Sequence, residues 1–548
     1  MGVPLREMRL LVLDAQASGA TPMYGDLIEL GWALVGPEPG PVRSHWVIPR
    51  TERWVPKAVR ELTGWSPDVL SEAVSEHEAW ELLLADARSI AEVAPVAIHY
   101  ASFELPFLQD LHARLGEGAF PFAPICVHAI AARLYPQLPR RSIRALAGFL
   151  GHSAELMRRT AGHVEATAFI WSALLEPLAE RGVETLEQLQ TWLSETRRGE
   201  RKTRGVYPLP AKQRLALPDK PGVYRFLRSN GDILYVGKAT SLKKRVASHF
   251  TGSARATERA LEMLTQVHEI RATETPSILE AALLETDEIK RIDPPYNVQL
   301  RIGERAAWFA SRDLRDTVKG PDETHRVGPL PSARALMPLS ALRALAAGDD
   351  SAYLRAGALA VPIAELPDDA LFLEGYGLFT AEHYDEAAPA RRVDRAARNL
   401  WLARGRKEPE VEAVEDAPLW DLARVRRRLE RALVQTGLLL RRTRWLRMLG
   451  EADIAYRERG MPQARALIVA GGEIVAQQDL ESLAALDTLP VRRPQVLRST
   501  RYDAASYDRL RVLATELRRV QDDGGELALR FASHAFHGAR LDALLRMV

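Results

Sequence analysis

Between two short apolar runs, at Asn230-Gly231, the chain carries the dipeptide that most strongly closes a β-hairpin, because both residues accept positive φ and so match the twist of paired strands. The surrounding stretch, "GVYRFLRSNGDILYVGKATSLKKR" from Gly222 to Arg245, therefore predicts a hairpin that leads into a basic helix. Its strands present Tyr224 and Tyr235, and the second ends in Gly237-Lys238, where a missing Cβ lets backbone and ligand approach. Lys243, Lys244 and Arg245 follow on the helix, with His249 one turn beyond Arg245 on the same face. A solvated hairpin and a charged helix face would give the same pattern. The choice between structure and chemistry rests on what surrounds it.

At 548 residues the chain is too long for one core, and about three or four domains are expected. Hydrophobic residues make up 47% and charged residues 27%, the balance of an ordinary globular protein. Lys plus Arg number 74 against 72 for Asp plus Glu, so bulk charge announces no nucleic-acid partner; any such partner must meet local patches. The single cysteine, Cys126, excludes an internal disulfide, a four-thiolate zinc site and a cysteine-held iron–sulfur cluster, and it fits a reducing cytoplasm. The start, "MGVPLREMRLLVLDAQ", lacks the basic and apolar regions of a leader, and Gly2 lacks the Ser or Thr of a myristoylation signal. No stretch reaches about eighteen uncharged apolar residues. A cytoplasmic protein, neither exported nor membrane-bound, is the expectation.

Periodicity divides the chain into a multidomain α/β protein. Strands at "RLLVLD", "LIELGWALV" and "RSHWVI", then helical periods at Glu78–Ala91 and from Phe103, Ile143 and His163, predict an α/β domain over 1–198. The run "SETRRGERKTRG" reads as a hydrophilic linker. A compact domain is expected over 206–302, ending in the helix "PSILEAALLETDEIKRI" closed by Pro294-Pro295. An extension with Ala/Leu-rich helices follows over 303–398, then an acidic linker candidate, "GRKEPEVEAVEDAP". The last segment, 415–548, is expected to be a C-terminal α/β domain of unassigned role within a mainly helical region, with a hairpin turning on Gly471-Gly472 and an amphipathic helix "YDRLRVLATELRRVQ". No fixed-period repeat is present, which excludes a solenoid.

The central domain holds a coherent set of groups. Glu285 sits in the otherwise apolar helical stretch "LEAALLETDEIK", and Asn297 follows Pro-Pro-Tyr. Phenols, a guanidinium, an imidazole, an ammonium and a carboxylate suit phosphodiester hydrolysis: Arg and Lys neutralise phosphate charge, the carboxylate holds a divalent cation, and Tyr or His orients and deprotonates water. Taken singly, each also reads as a core-edge aromatic, a solvated helix charge or a turn residue.

From Leu217 to Leu300 the sequence resembles the GIY-YIG nuclease domain of UvrC-type excinucleases, including the shorter Cho proteins. The first signature appears as Gly222-Val223-Tyr224 and the second as Tyr235-Val236-Gly237, while "GKATSLKKRVASHF" and "EAALLETDEIKRIDPPYNVQL" match the family's helix and metal-site helix in register. The resemblance implies that Glu285 is the sole carboxylate ligand of one Mg²⁺ or Mn²⁺ ion, one carboxylate being too few for two hard cations. It implies that Tyr224 deprotonates the attacking water, aided by Lys238, that Arg245 steadies the phosphate, that Tyr235 contacts the phosphate or water network, and that Asn297 supports the site. One position departs: the family commonly has Tyr where His249 stands, and imidazole accepts a proton near neutral pH more readily than phenol. Beyond Leu300, "VGPLPSARAL" resembles the Gly-Pro segment that follows this domain in UvrC, and the absence of a tandem Gly-containing helix-hairpin-helix segment resembles Cho.

The first domain resembles the DnaQ-type DEDD proofreading exonucleases, which have an RNase H-like fold. "LLVLDAQASG" sits at the family's Asp-x-Glu motif, "IHYASFELPFL" at its second motif and "RRTAGHVEATAFIW" at its third. Those enzymes hold two Mg²⁺ ions through four acidic side chains. Here Asp14 remains, Gln16 replaces the Glu, Glu104 the second Asp and His163 the last Asp, while Arg158 stands where the family has His. An amide, an imidazole and a longer carboxylate are poor substitutes in a tight octahedral shell, so the domain is expected to be inactive as an exonuclease.

In the C-terminal "RVRRRLERALVQTGLLLRRTRWLRM", Arg side chains could pair with phosphates and Trp445 could stack on a base; an amphipathic helix with a charged outer face explains the same pattern. His534 and His537, one helical turn apart, lack a third ligand and are left unassigned. The resemblances together imply a structure- or damage-specific DNA endonuclease in nucleotide excision repair, acting on DNA with UvrA- or UvrB-like proteins as candidate partners. The alternatives are a 3′–5′ exonuclease with an accessory endonuclease domain, and a nuclease-inactive DNA-bound recruitment protein.

Overall fold

The computed structural model describes residues 3–51, 55–153, 157–195, 206–251, 257–300, 306–386, 388–404, 420–490, 503–532, 534–538 and 541. The linker candidate "SETRRGERKTRG" starts at Ser194, which ends the helix Leu186–Ser194, and its residues 196–205, like the candidate at 405–418, lie outside the described residues. The chain divides into two compact units, Met1–Glu274 with Pro294–Asn297, and Thr275–Asp293 with Val298–Val548. The helix Ile278–Ile292 belongs to the second unit and is described with it.

In the first unit, β1 (Leu10–Ala17), β2 (Leu27–Val35), β3 (Arg43–Trp46), β4 (Ala94–Ile98) and β5 (Phe122–Cys126) form a sheet in the order β3-β2-β1-β4-β5. β1 pairs antiparallel with β2 and parallel with β4, and β4 runs parallel to β5. Every residue of β1 from Leu10 to Gln16 is buried, as a strand covered on both faces requires. Leu10 and Val12 enter one core with the helix Thr160–Ala179, and Leu11 and Leu13 enter the other with the helix Glu76–Arg88. This strand order and pairing is the expected RNase H-like sheet.

Farther along the same unit, β6 (Gly222–Leu227) and β7 (Ile233–Ala239) form the expected hairpin, and β8 (Glu269–Glu274) joins β6 to give the order β7-β6-β8. The turn differs from the expected two-residue kind. Gly231 has a φ of 90°, while Asn230 stays outside the positive-φ region. The ends close through the Arg228 N–H to the Asp232 carbonyl at 2.9 Å and the Gly231 N–H to the Arg228 carbonyl at 3.1 Å. That is a type I turn followed by one left-handed residue. Asn230 acts through its side chain, Oδ1 accepting the Asp232 N–H at 3.0 Å. The helix Leu242–Thr251 buries Leu242, Val246 and Phe250, spaced by four, and leaves Lys243, Lys244 and Arg245 exposed.

The second unit opens with the helix Ile278–Ile292, capped by Ser277 Oγ, which accepts the Glu280 N–H at 3.0 Å, and closed by Asp293 at a φ of 48° before Pro294. Three short strands, β9 (Trp308–Ser311), β10 (Thr317–Lys319) and β11 (His325–Leu330), form a small sheet that the helical expectation for 303–398 missed. The helix Leu422–Leu449 then serves two cores. Val425, Leu429 and Leu433 pack with Leu342, Phe372 and Phe379; Trp445, Leu446 and Leu449 pack with Ile454 and Leu510. Trp445 is only 3% exposed, so it is a core residue, and base stacking by Trp445 is ruled out.

The C-terminal region is rich in helix but organised around a five-stranded sheet, β14-β13-β12-β15-β16, built from β12 (Ala452–Arg457), β13 (Ala464–Ala470), β14 (Glu473–Leu480), β15 (Glu526–Phe531) and β16 (His534–His537). Gly471 and Gly472, with φ of 60° and 81°, make the expected β13–β14 turn. His534 and His537 lie on β16 rather than on a helix, at positions that alternate to opposite faces. No helix among the described residues is long and apolar enough to cross a membrane.

Candidate functional site

Strand register decides which side chains meet at the hairpin. β6 sets Tyr224 opposite Gly237 and Phe226 opposite Tyr235. Tyr224 and Tyr235 are therefore diagonal neighbours on one face, with ring centres 6.0 Å apart. A Cβ on Gly237 would stand 2.6 Å from Cζ and Oη of Tyr224 and 2.7 Å from Cε1 of Tyr235. The missing side chain makes room for the phenols, not for a ligand against the backbone, which corrects the expectation for this glycine. The helix Leu242–Thr251 contributes Arg245 and His249. His249 Nε2 lies 2.7 Å from Tyr224 Oη, and the imidazole packs edge-on against the rings of Tyr224 at 5.7 Å and Phe226 at 5.2 Å.

The electrostatics of this cluster are set by burial and one cation. Burial, reinforced by the neighbouring Tyr235 phenol, pushes Tyr224 well above the usual phenol range; Arg245 pulls it down without reversing the shift. Arg245 is held charged, chiefly by Tyr224 beside it and also by Tyr235. His249 is driven down to about 4, first by burial and then by the Arg245 charge. At neutral pH the phenol is protonated and the imidazole neutral. A guanidinium can only donate, so Tyr224 Oη accepts from Arg245, while its own proton serves His249 Nε2 or the Tyr235 oxygen according to the imidazole tautomer.

Around this cluster, Lys238 stands opposite Val223 in the β6–β7 register and is half-buried. Lys243 and Lys244 are exposed, and Lys244 Nζ lies 3.4 Å from Asp219. Asn297 has a role that the sequence hid: its Oδ1 accepts the Val236 N–H at 3.0 Å and its Nδ2 donates to the Val236 carbonyl at 2.9 Å. It closes the open edge of β7 as a neighbouring strand would, at the residue between Tyr235 and Gly237. The first unit thus brings together Tyr224, Tyr235, Arg245 and His249, with Lys238 and Asn297 attached through β7. Glu285 lies midway along the helix Ile278–Ile292 of the second unit, half-buried. As a hard oxygen donor flanked by Leu284 and Thr286, it has the chemistry that Mg²⁺ or Mn²⁺ takes.

The N-terminal positions are engaged with one another. Asp14 Oδ2 lies 3.0 Å from His163 Nδ1. Burial alone would lower His163, but the Asp14 carboxylate outweighs it and holds the imidazole above its usual value. Glu104 is buried, accepts the Ala15 N–H at 3.2 Å, and is pushed well up by burial and then by Asp14. Gln16 Nε2 donates to the Arg158 carbonyl at 2.7 Å, while the Arg158 side chain is exposed. A carboxylate held by an imidazole, a second driven toward its neutral form and an amide spent on the backbone do not fit two divalent cations.

Two features here escaped sequence reasoning. Glu29, fully buried on β2, accepts the Ser44 hydroxyl at 2.7 Å and the Thr160 N–H at 3.2 Å and pairs with Arg159, tying the start of the helix Thr160–Ala179 to the sheet. A lone carboxylate in the apolar "LIELGWALV" was the signal. Beside Asp14 and His163, a cavity of about 610 Å³ is lined by Tyr100, His128, Arg140, Arg141 and Arg144; the run "PRRSIR" announced its cations.

Residues 220–298 match the family described as the UvrC-like GIY-YIG domain, and the central segment is such a domain. A Mycobacterium tuberculosis protein named as a bifunctional exonuclease/endonuclease is 28% identical over 363 residues, 63% of this chain and 53% of that protein. The UvrABC system protein C of Alkalilimnicola ehrlichii is 42% identical over 130 residues, 22% of this chain and 21% of that protein. The chain thus spans about half the length of the first relative and about a fifth of the second. Among solved structures, the GIY-YIG N-terminal endonuclease domain of UvrC from Thermotoga maritima, bound to magnesium, is 33% identical, covering 16% of this chain and 93% of that chain with a TM-score of 0.15.

Proposed function

We propose, from a UvrC-like GIY-YIG domain over residues 220–298, that the protein is a metal-dependent DNA endonuclease of the UvrC or Cho kind, nicking one strand near damage or a branch during excision repair in the cytoplasm. The observation that carries this reading is the hydrogen bond between Tyr224 and His249 at 2.7 Å beside Arg245. A phenol placed between a donor-only guanidinium and a neutral imidazole can take a proton from water while passing its own to His249. Arg245 and Lys238 offer their charges to the phosphate oxygens, and Tyr235 orders the water or phosphate beside them. Glu285 is the residue that would hold Mg²⁺ or Mn²⁺, which would supply positive charge at the scissile phosphate. Asn297 keeps β7 and its phenol in place. Lys243 and Lys244 meet the DNA backbone. Attack in line with the leaving oxygen leaves a 3′-hydroxyl and a 5′-phosphate. UvrA- or UvrB-like proteins are the partners proposed to deliver the DNA.

The N-terminal domain in this reading holds DNA without digesting it. The Asp14–His163 pair and the arginine-lined cavity support that assignment. Two experiments test the whole. Purified protein with Mg²⁺ should nick a damaged or flapped duplex, and Glu285→Gln should lower nicking by about 10²-fold or more while DNA binding persists; equal nicking by the variant overturns the site. Labelled single strands incubated with Mn²⁺ should survive, and digestion that disappears in Asp14→Asn would reinstate the exonuclease reading.

A further inference from the structure

The helix Ile278–Ile292 is gripped along one side by the C-terminal part of its own unit. At its start, the Glu458 carboxylate accepts the Ile278 N–H at 3.2 Å and the Leu279 N–H at 3.0 Å, two donors that no helical carbonyl can serve. Next comes a buried network on Glu280. Tyr456 Oη donates to Glu280 Oε1 at 2.7 Å and lies 2.7 Å from Ser277 Oγ. Arg465 on β13 pairs with both Glu280 oxygens, Nη2 reaching Oε2 at 3.1 Å. Toward the other end, Arg509 pairs with Asp287 at 2.8 Å and Lys290 with Asp508 at 2.7 Å. Between these ties Leu279 and Leu283 enter the core that holds Leu449, Tyr456 and Leu510.

Helical geometry places these contacts on one stripe. At about 100° per residue, positions 279, 280, 283, 287 and 290 fall within about 100° of the circumference, and position 285 stands about 170° from their centre. Glu285 is carried on the side facing away from the grip. Leucines alone could have buried this face, and a buried ion pair is a weak source of stability because of its desolvation cost. What the polar ties add is uniqueness: Glu280 is satisfied by Tyr456 and Arg465 at one rotation and one depth of the helix.

We propose that the C-terminal sheet and the helix Ala504–Asp522 form a positioning clamp, fixing the rotation and depth of the helix that carries Glu285, with Tyr456, Glu458 and Arg465 as positioning residues for the metal-dependent step. This rests on Glu285 as the metal carboxylate. The clamp gives the C-terminal region a task in strand cleavage without any contact to DNA.

The test uses the full chain with Arg465→Met, Arg465→Lys and Tyr456→Phe, the last removing one hydroxyl should the first fail to accumulate. Hydrogen exchange is read over 278–292 and, as an internal control, over 222–239. Arg465→Met should speed exchange of the helix by about tenfold or more and leave the hairpin unchanged. The half-saturating Mg²⁺ concentration for nicking should rise by about tenfold or more, with the DNA KM within about two-fold of wild type. Arg465→Lys should recover most of both, and Tyr456→Phe should shift both in the same direction by less. Unchanged helix exchange in a folded Arg465→Met or Tyr456→Phe overturns the clamp whatever nicking does. Faster exchange with an unaltered Mg²⁺ dependence overturns its link to Glu285. Should wild type fail to nick, or Glu285→Gln nick equally, the nuclease reading falls by itself and the exchange decides the clamp.

Discussion

Replacing Gly237 by alanine adds one carbon where the phenols leave no slack. Gly237 is not among the positive-φ glycines, so alanine carries no backbone strain there and the whole effect comes from contact. The new Cβ would stand 2.6 Å from the Tyr224 phenol against 3.4 Å for ordinary contact, so the ring must retreat by about 0.8 Å or β7 must bulge. Retreat is blocked, because Tyr224 is fully buried with the Phe226 ring centre 5.2 Å away and His249 bonded at 2.7 Å. A shift of that size alters the Oη–Nε2 separation by up to about 0.8 Å, enough to take it out of the useful range. Overpacking of this kind costs about 1–3 kcal/mol, which leaves the protein folded. Misplacing a reacting group by about 1 Å costs about 10²-fold in rate. Thermal melts should therefore fall modestly while single-turnover nicking at saturating Mg²⁺ falls by about two orders of magnitude. A destabilised Gly237→Ala that nicks within about three-fold of wild type would refute the argument that the position of Tyr224 sets the rate.

Three further outcomes are expected. His249 titrates near 4 in the folded chain against 6.5 ordinarily, so the unfolded chain binds more protons between those values; its stabilising contribution is complete above about pH 6.5 and is lost as pH falls toward 4. His249→Phe should accordingly flatten the decline of melting temperature between about pH 7 and 5, and an unchanged decline would contradict the shift. Asn297→Ala leaves the Val236 peptide group buried and unpaired, which should cost about 1–3 kcal/mol by calorimetry and slow nicking, with Asn297→Asp intermediate because it accepts but cannot donate. Trp445→Ala should destabilise by about 3–5 kcal/mol yet leave DNA affinity, read by fluorescence anisotropy, unchanged; weaker binding by a folded variant would restore Trp445 to a DNA-facing role.

What the sequence made legible follows the range of the interactions. The hairpin, its basic helix and the Gly471-Gly472 turn were readable because Gly, Asn and apolar spacing act locally. The turn type at Asn230 was not, since its side chain also reaches the Gly151 carbonyl at 3.3 Å and Ser153 Oγ at 2.8 Å, partners remote in sequence. The Asn297 pairing with Val236 was hidden for the same reason. Trp445 looked available for stacking because an Arg-rich helix displays its charged face in the sequence, while the sheet that covers its other face comes later in the chain. The side-chain types at Gln16, Glu104 and His163 were readable directly, because the identity of a donor atom needs no fold. The bonds those residues make instead depend on the fold.

The 28-residue helix Leu422–Leu449 is a rod of about 42 Å that walls two separate interiors, with Val425, Leu429 and Leu433 on one stretch and Trp445, Leu446 and Leu449 on the next. Neither interior can come apart without fraying the wall of its neighbour, so the two should melt as one cooperative block. A single residue inserted between those stretches would swing one set by about 100° against the other. The number of residues between the two sets is therefore as tightly held as their identity, and length changes in this segment should be tolerated worst of all.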